Sequence, residues 1–213
     1  KMAASCKVAD AVTNPGLELG LDLGNAWCAG RDKIALNPNP GGFGLWAEQL
    51  IAESTGKDNK GLIPCPDEDP AGADRHAVEI RLTDIAGVGA EFYRFEFATA
   101  VAGAMLGINP FDQPNVQEAK DRTAAILTGG EQPVLDDVDS LDTLLGNAQE
   151  GDYVALLAFV PPTTENERRL AQARSSISRR TGLATTAGFG PRYLHSTGQL
   201  HKGGPGSGLF LQI

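Results

Sequence analysis

The chain has 213 residues, a formal net charge of -9 at pH 7, 41% hydrophobic and 6% aromatic residues. That length holds one domain with a real core, or one domain plus a small appendage, and the composition is that of an ordinary α/β protein. The acidic balance excludes nucleic acid as a partner, since phosphate backbones need a basic face, and no apolar run approaches the roughly 18 residues of a membrane span.

Residues 1–6 read as the middle of a helix, so the chain is expected to be a piece of a longer protein. Asn14, Pro15 and Gly16 break that helix, and 17–29 form the next, with Leu17, Leu21 and Trp27 on one side. Residues 33–36 are a short apolar strand that runs into the Pro/Gly turn of 37–42. Residues 43–54 follow as a helix with Leu45, Trp46, Leu50 and Ile51 as its apolar face, and Gly56 stands where a C-terminal cap belongs. A second buried strand is expected at 61–65, an acidic loop at 66–74 and an alternating strand at 77–82. The helix at 91–106 carries Phe92, Phe95, Thr99, Ala102 and Met105 on one stripe, and another helix spans 114–127.

Residues 128–139 have the composition of a linker. Behind them a second βαβ unit reads as a strand at 153–160, a helix capped by Thr163 or Thr164 that runs to about Arg180, and a strand at 183–187. The glycine-rich stretch 188–213 ends in an apolar strand. Strands alternating with helices predict an α/β fold, a three-layer αβα sandwich with a mainly parallel sheet of flavodoxin-like type. Residues 1–127 form one expected unit and 128–213 a C-terminal βαβ extension.

Cys6, Cys28 and Cys65 are scattered and odd in number, which argues for a reducing, cytoplasmic setting and for buried, inert thiols. Neither a metal site nor a cofactor is expected: no metal-ligand cluster, GxGxxG or phosphate-binding GxxxxGK[ST] is present. After Pro162 seven Lys or Arg stand against Glu165 and Glu167, a basic tail that reads mainly as a solvated helix face.

Residues able to do chemistry gather in three runs. Asn109-Pro110-Phe111-Asp112-Gln113-Pro114 is a turn stiffened by two prolines. Lys120 follows two helical turns after Gln113, so both face one way if the helix starts there. Gln49 to Lys57 holds Glu53, Ser54, Thr55 and Gly56, with Gln49 and Glu53 on one helix face. Glu53 ends its helix, where a carboxylate can point out of the fold and act as a base. The third run, Leu194 to Gln199, contains His195, and His201 follows on the same glycine-rich stretch. Taken singly, Glu53 and Lys120 read as surface charges and His195 as an idle histidine.

Together the runs resemble the phosphoglucose isomerase family, which interconverts glucose 6-phosphate and fructose 6-phosphate in glycolysis and gluconeogenesis. The first two are similar to the family's Gln-x-x-x-Glu-Ser-x-Gly-Lys and Phe-Asp-Gln segments, and the third to the Leu-His-Ser-x-Gly-Gln run of its short bacterial members. That third run comes after Lys120, out of the family's usual order, as in bifunctional transaldolase/phosphoglucose isomerase fusions. The resemblance implies a sugar-isomerase (SIS) half-domain at 1–127 and Glu53 as the base moving a proton through a cis-enediol. It further implies Lys120 and His195, with His201 as second choice, at the ring oxygen, and Gln49, Gln113, Ser54 and Thr55 near the sugar. It implies a hexose 6-phosphate substrate, no cofactor, a homodimer, and an upstream SIS half, with a transaldolase domain before it as a further expectation. The phosphate-binding Ser/Thr loop of the family is missing here, so the chain alone is expected to be a poor catalyst. The alternative is a non-catalytic SIS module that binds sugar phosphates.

Overall fold

The computed structural model describes residues 1–82, 84–129 and 140–213. Helix α1 (Met2–Ser5) is a single turn. The expected break at Asn14 is the cap of α2 (Pro15–Cys28): Asn14 Oδ1 accepts the N–H groups of Gly16 and Leu17 at 3.1 and 2.9 Å, and Pro15 takes the first helical position, where no donor is needed. Strand β1 (Lys33–Leu36) leads through the 37–42 turn to α3 (Phe43–Thr55), then to β2 (Ile63–Pro66) and β3 (Arg75–Ala77). Helix α4 (Val88–Leu106) is closed by Gly107 at φ 68°, a left-handed backbone that suits glycine. Then come α5 (Pro114–Leu127), α6 (Leu141–Gly146), β4 (Tyr153–Ala158), α7 (Thr164–Thr181) and β5 (Ala184–Phe189). The chain ends with α8 (Arg192–Ser196), α9 (Gly198–Gly203) and β6 (Gly208–Gln212).

The fold is an α/β sandwich. Among the described residues the strands form two three-stranded sheets, β2-β1-β3 and β5-β4-β6, with every ladder parallel. Side chains on successive positions of β4 go to opposite layers, as a strand requires. Tyr153, Ala155 and Leu157 join Ala52, Ile63, Cys65, Tyr193 and Leu200 on one face, while Val154, Leu156 and Ala158 join Leu170 and Ile177 of α7 on the other. The first of these clusters takes residues from both sides of the expected linker. From residue 130 to 139 that linker lies outside the described residues. A third cluster joins β1, α2, α3 and α4.

The two sheets lie edge to edge at β2 and β5, and the sequence of β2 explains why they do not zip together. Ile63 and Asp67 give their N–H groups to Asp32 and Leu36 of the β1 side at 2.8 and 3.1 Å. Alternate positions therefore point toward β5, and these are Pro64 and Pro66, which have no N–H to give. Side chains fill the gap. Glu68, only 4% exposed, accepts from Thr185 N (3.0 Å), Thr185 Oγ1 (2.7 Å) and Ser178 Oγ (3.1 Å) and faces Arg75 and Arg174, each at 3.4 Å. Arg174 also donates to the carbonyls of Pro66 and Thr185 at 2.9 and 2.7 Å, tying the two strand ends.

Four expectations are corrected. The third strand is Arg75–Ala77, earlier than 77–82. The alternation at 78–82 is real, since Val78 and Ile80 are buried, and Val78 N still donates to Ala35 O of β1 at 3.0 Å, but beyond it the partners are on α4: Glu91 accepts from Arg81 N at 2.8 Å and Arg94 donates to Glu79 O at 2.8 Å. On α3 the expected Trp46, Leu50 and Ile51 do pack on the core, together with Phe43, Ala47 and Ala52, while Leu45 is exposed. Past the end of α3, α9 comes so close that a methyl group on Gly56 would overlap the backbone of Leu200. Cys28 is exposed, whereas Cys6 and Cys65 are buried. The glycine-rich stretch holding both histidines is helical at α8 and α9.

Helix α4 packs closely against α2. Gly16, Gly20 and Gly24 form a groove on α2 that receives Phe97, Val101 and Met105 of α4. Among the described residues no helix is long and apolar enough to cross a membrane.

Among the described residues Glu68 is the carboxylate that pairs with both Arg75 and Arg174 at the seam. Glu68→Ala is expected to lower the unfolding free energy by about 3 kcal/mol or more, as removal of one partner of a buried pair does. Urea titration checks this, and a loss near zero would mean that the seam does not depend on that carboxylate.

Candidate active site

Glu53 lies in the last turn of α3, half-buried, and Gln49 one turn earlier donates to its carboxylate at 3.4 Å. Partial burial lifts the Glu53 carboxyl above its ordinary range, while the Gln49 hydrogen bond and the nearby charge of His195 pull it back down. His195 is exposed on α8, which packs against α3. The structure therefore brings Gln49, Glu53 and His195 together. Ser54 is half-buried, and Thr55 is fully buried with its hydroxyl committed to the fold: it donates to Ile51 O at 2.8 Å and accepts from Leu62 N at 3.0 Å.

Lys57 and Gly56, just past the helix end, connect this corner to the other runs. Lys57 is 1% exposed, and its ammonium finds three acceptors: Asn109 O at 2.7 Å, Asp112 Oδ1 at 2.9 Å and the Asp112 carbonyl. Three donors meet three acceptors, so the buried cation is fully satisfied. In return the Asp112 carboxyl is held below its ordinary range, chiefly by the Lys57 hydrogen bond. The turn before α5 is thereby fixed to the end of α3.

Gln199 makes the second connection. Its side-chain nitrogen donates to Gly56 O and to Asn115 Oδ1, both at 2.8 Å, and its oxygen accepts from Asn115 N at 3.2 Å. These bonds seat the start of α5 on α9. Gln113 takes the N-cap position of α5 and is exposed, and Lys120 is exposed on its second turn. Among the described residues no hydrogen bond or ion pair joins Gln113 or Lys120 directly to Glu53. Their elements are held in common through Lys57 and Gln199.

Two other histidines sit elsewhere. His201 turns inward between Tyr193 and Phe210, with ring centroids 6.4 and 5.0 Å apart, and burial depresses its imidazole from 6.5 to about 4. His76 on β3 is paired with Asp22 at 2.7 Å. A cavity of about 800 Å³ lies at the amino ends of β1, β3, β4 and β5, between Gly30, Asp74, Gly151 and Arg180, and none of the candidate residues lines it.

Sequence reasoning passed over Lys57, Asn115, Gln199 and the pair Glu48–Arg192. Arg192 reaches from α8 to Leu45 O at 3.1 Å and to the Glu48 carboxylate at 3.7 Å, fastening α8 to α3. Lys57 and Gln199 each stand at the end of a run already singled out, and that position was the available signal. Nothing comparable marks Asn115 or Glu48.

A stretch of 40 residues is 50% identical to the glucose-6-phosphate isomerase of Leptospira biflexa serovar Patoc, equally in strain Patoc 1 / Ames and strain Patoc 1 / ATCC 23582 / Paris. The match covers 19% of this chain and 9% of the length of each relative. No protein-family model matches the chain, and no solved structure matches it. The similarity to glucose-6-phosphate isomerase is thus real but local.

Two buried groups set opposite pH responses around this corner. Glu48 is pushed up from 4.5 to about 7 by burial, so the stability linked to it is present below 4.5 and lost as pH rises through 7. His201 is depressed from 6.5 to about 4, so its contribution is present above 6.5 and lost as pH falls toward 4. Between 4.5 and 6.5 the two oppose each other. Glu48→Gln is therefore expected to gain stability with rising pH in that window more steeply than the wild type. Urea midpoints across the range decide it, and identical slopes would remove Glu48 from the balance.

Proposed function

We propose that this chain is part of an aldose–ketose isomerase acting on glucose 6-phosphate and fructose 6-phosphate. The observation that carries the reading is Glu53: a helix-end carboxylate, raised by partial burial, held by Gln49 and close to His195. A proton-transfer base works best when its pKa approaches the working pH, and partial burial moves a carboxylate that way. The local similarity to glucose-6-phosphate isomerase supports the same assignment.

In this reading the Glu53 carboxylate takes the C2 proton of the open-chain aldose. The electron pair left behind forms the C1–C2 double bond, and the C1 oxygen takes a proton to complete a cis-enediol. Returning the proton from Glu53 to C1, while the C2 hydroxyl loses its own, gives the ketose. His195 and Lys120 serve ring opening and closure as acid and base at the ring oxygen. Gln49, Gln113 and Ser54 lie near the sugar hydroxyls. Thr55 acts through its backbone, its hydroxyl being used inside the fold. His201, turned into its aromatic cluster, is the weaker choice for ring opening.

The proposal extends to organisation. Residues 1–127 correspond to an SIS half-domain and 128–213 to an extension that brings in His195. The phosphate group of the substrate is held by a preceding half of a longer polypeptide, which works as a cytoplasmic homodimer and carries a transaldolase domain further upstream.

Fructose 6-phosphate turnover, coupled to an NADP-linked glucose-6-phosphate dehydrogenase, tests the reading on this chain and on the complete polypeptide that carries it. Glu53→Gln is expected to lower kcat by about 10³-fold while the melting temperature stays within a few degrees. Undiminished turnover in that variant would remove Glu53 as the base. A wild type silent in both forms, yet stabilised by hexose phosphates in thermal shift, would favour a non-catalytic sugar-phosphate-binding module.

A further inference from the structure

We infer that Gln199 and Asn115 form a positioning pair that keeps the helix bearing Lys120 in register with the Glu53 helix end; the inference rests on the isomerase reading above. Three observations carry it.

The first concerns what holds α5. Its side chains are largely exposed, and its main packing partner is α9. Among its described side chains none is fully buried, and a helix with few buried contacts has little to fix its direction. Polar contacts at its start must supply that.

The second concerns the helix start itself. The first N–H groups of a helix lack partners within it and need outside acceptors. Pro114 removes one such donor, and Gln113, in the cap position, offers no side-chain acceptor. The Asn115 N–H is met by Gln199 Oε1 at 3.2 Å, from 84 residues away in sequence. Asn115 Oδ1 meets Gln199 Nε2 in turn. This two-point contact fixes both the position and the rotation of the first turn. The remaining Gln199 N–H goes to Gly56 O, one turn past Glu53. Gln199 is itself 1% exposed, so its amide depends on these bonds, and an unmade bond there is costly.

The third observation is the space left for the pair. A methyl group on Gly203 would overlap Asn115 Oδ1 and press on Gln199 Nε2, so only glycine at 203 leaves the pair intact. Glu53, Lys120 and His195 each lie within about two helical turns of one end of this contact. A misplacement of one ångström at reacting groups can cost about 100-fold in rate. Gln199 and Asn115 thus act on the reaction through the groups they hold, without touching substrate.

The test compares wild type with Gln199→Met, Asn115→Ala and Gly203→Ala in the complete polypeptide. Gly203→Ala disturbs the pair without removing either member, and Asn115→Ala keeps the buried Gln199, so failure of one variant to fold leaves the others. The expected result is a kcat lower by about 100-fold with KM little changed, and faster amide hydrogen exchange in the first two turns of α5 while α2 keeps its protection. Wild-type kcat together with unchanged exchange in α5 would overturn the pair. So would loss of protection spread evenly over the fold, which marks a general structural role. If the wild type shows no turnover, the isomerase reading falls by itself, and exchange in α5 alone then decides the pairing: unchanged protection overturns it, selective loss supports it.

Discussion

A lysine ammonium stays inside a protein only if all its donors find acceptors. For Lys57 that requirement reaches 52 to 55 residues along the chain, to Asn109 and Asp112. Once Lys57 is buried at the end of α3, the proline-bracketed turn has one place to be, and the start of α5 follows from it. Gly56, next door, offers its carbonyl to Gln199. Two consecutive residues therefore anchor a turn, a helix and the α9 segment. The end of the helix that carries Glu53 is the hub of the molecule's polar architecture.

The second constraint is a refusal. Pro64 and Pro66 deny β2 the donors it would need to pair with β5, and the strands of the described residues remain two sheets. Glu68, Arg75 and Arg174 take over the join with side chains. The layer above this seam consists of α3 from one side and α8 and α9 from the other, packed on a common core. The corner that holds Glu53 and His195 exists only because both parts of the chain meet there. Arg192, fastened to Leu45 and Glu48, keeps α8 close to α3 at the opposite end of the same contact.

Burial sorts the titratable groups into different tasks. Glu53 is half-exposed, so its carboxyl is raised yet still reaches solvent and any bound molecule. Glu48, one side of the helix away, is buried beyond reach and serves packing. His195 and His201 stand close in sequence, but one lies on the surface beside Glu53 and the other inside an aromatic cluster. Glu48 and Glu53 differ because one helix turns its successive faces to different surroundings, and the two histidines differ because they stand on separate helices, α8 and α9.

By itself the sequence determined the α/β class, the break at Asn14, a helix cap at Thr163 or Thr164, and the helix ends marked by Gly56 and Gly182. These follow from local chemistry: caps, prolines and left-handed glycines act within a few residues. It also exposed the three runs, because the residues of each lie side by side in the chain. Tertiary structure alone decided the rest. The alternation at 78–82 could not say that beyond Val78 its partners would be Glu91 and Arg94 of a helix instead of a neighbouring strand. The apolar residues of α3 could not say that Leu45 would be left out, since the core they pack on is assembled from α2, β1 and α4 together. Lys57 and Gln199 read as an ordinary lysine and glutamine until the fold enclosed them, because what makes each one matter is acceptors and donors supplied from 52 to 143 residues away.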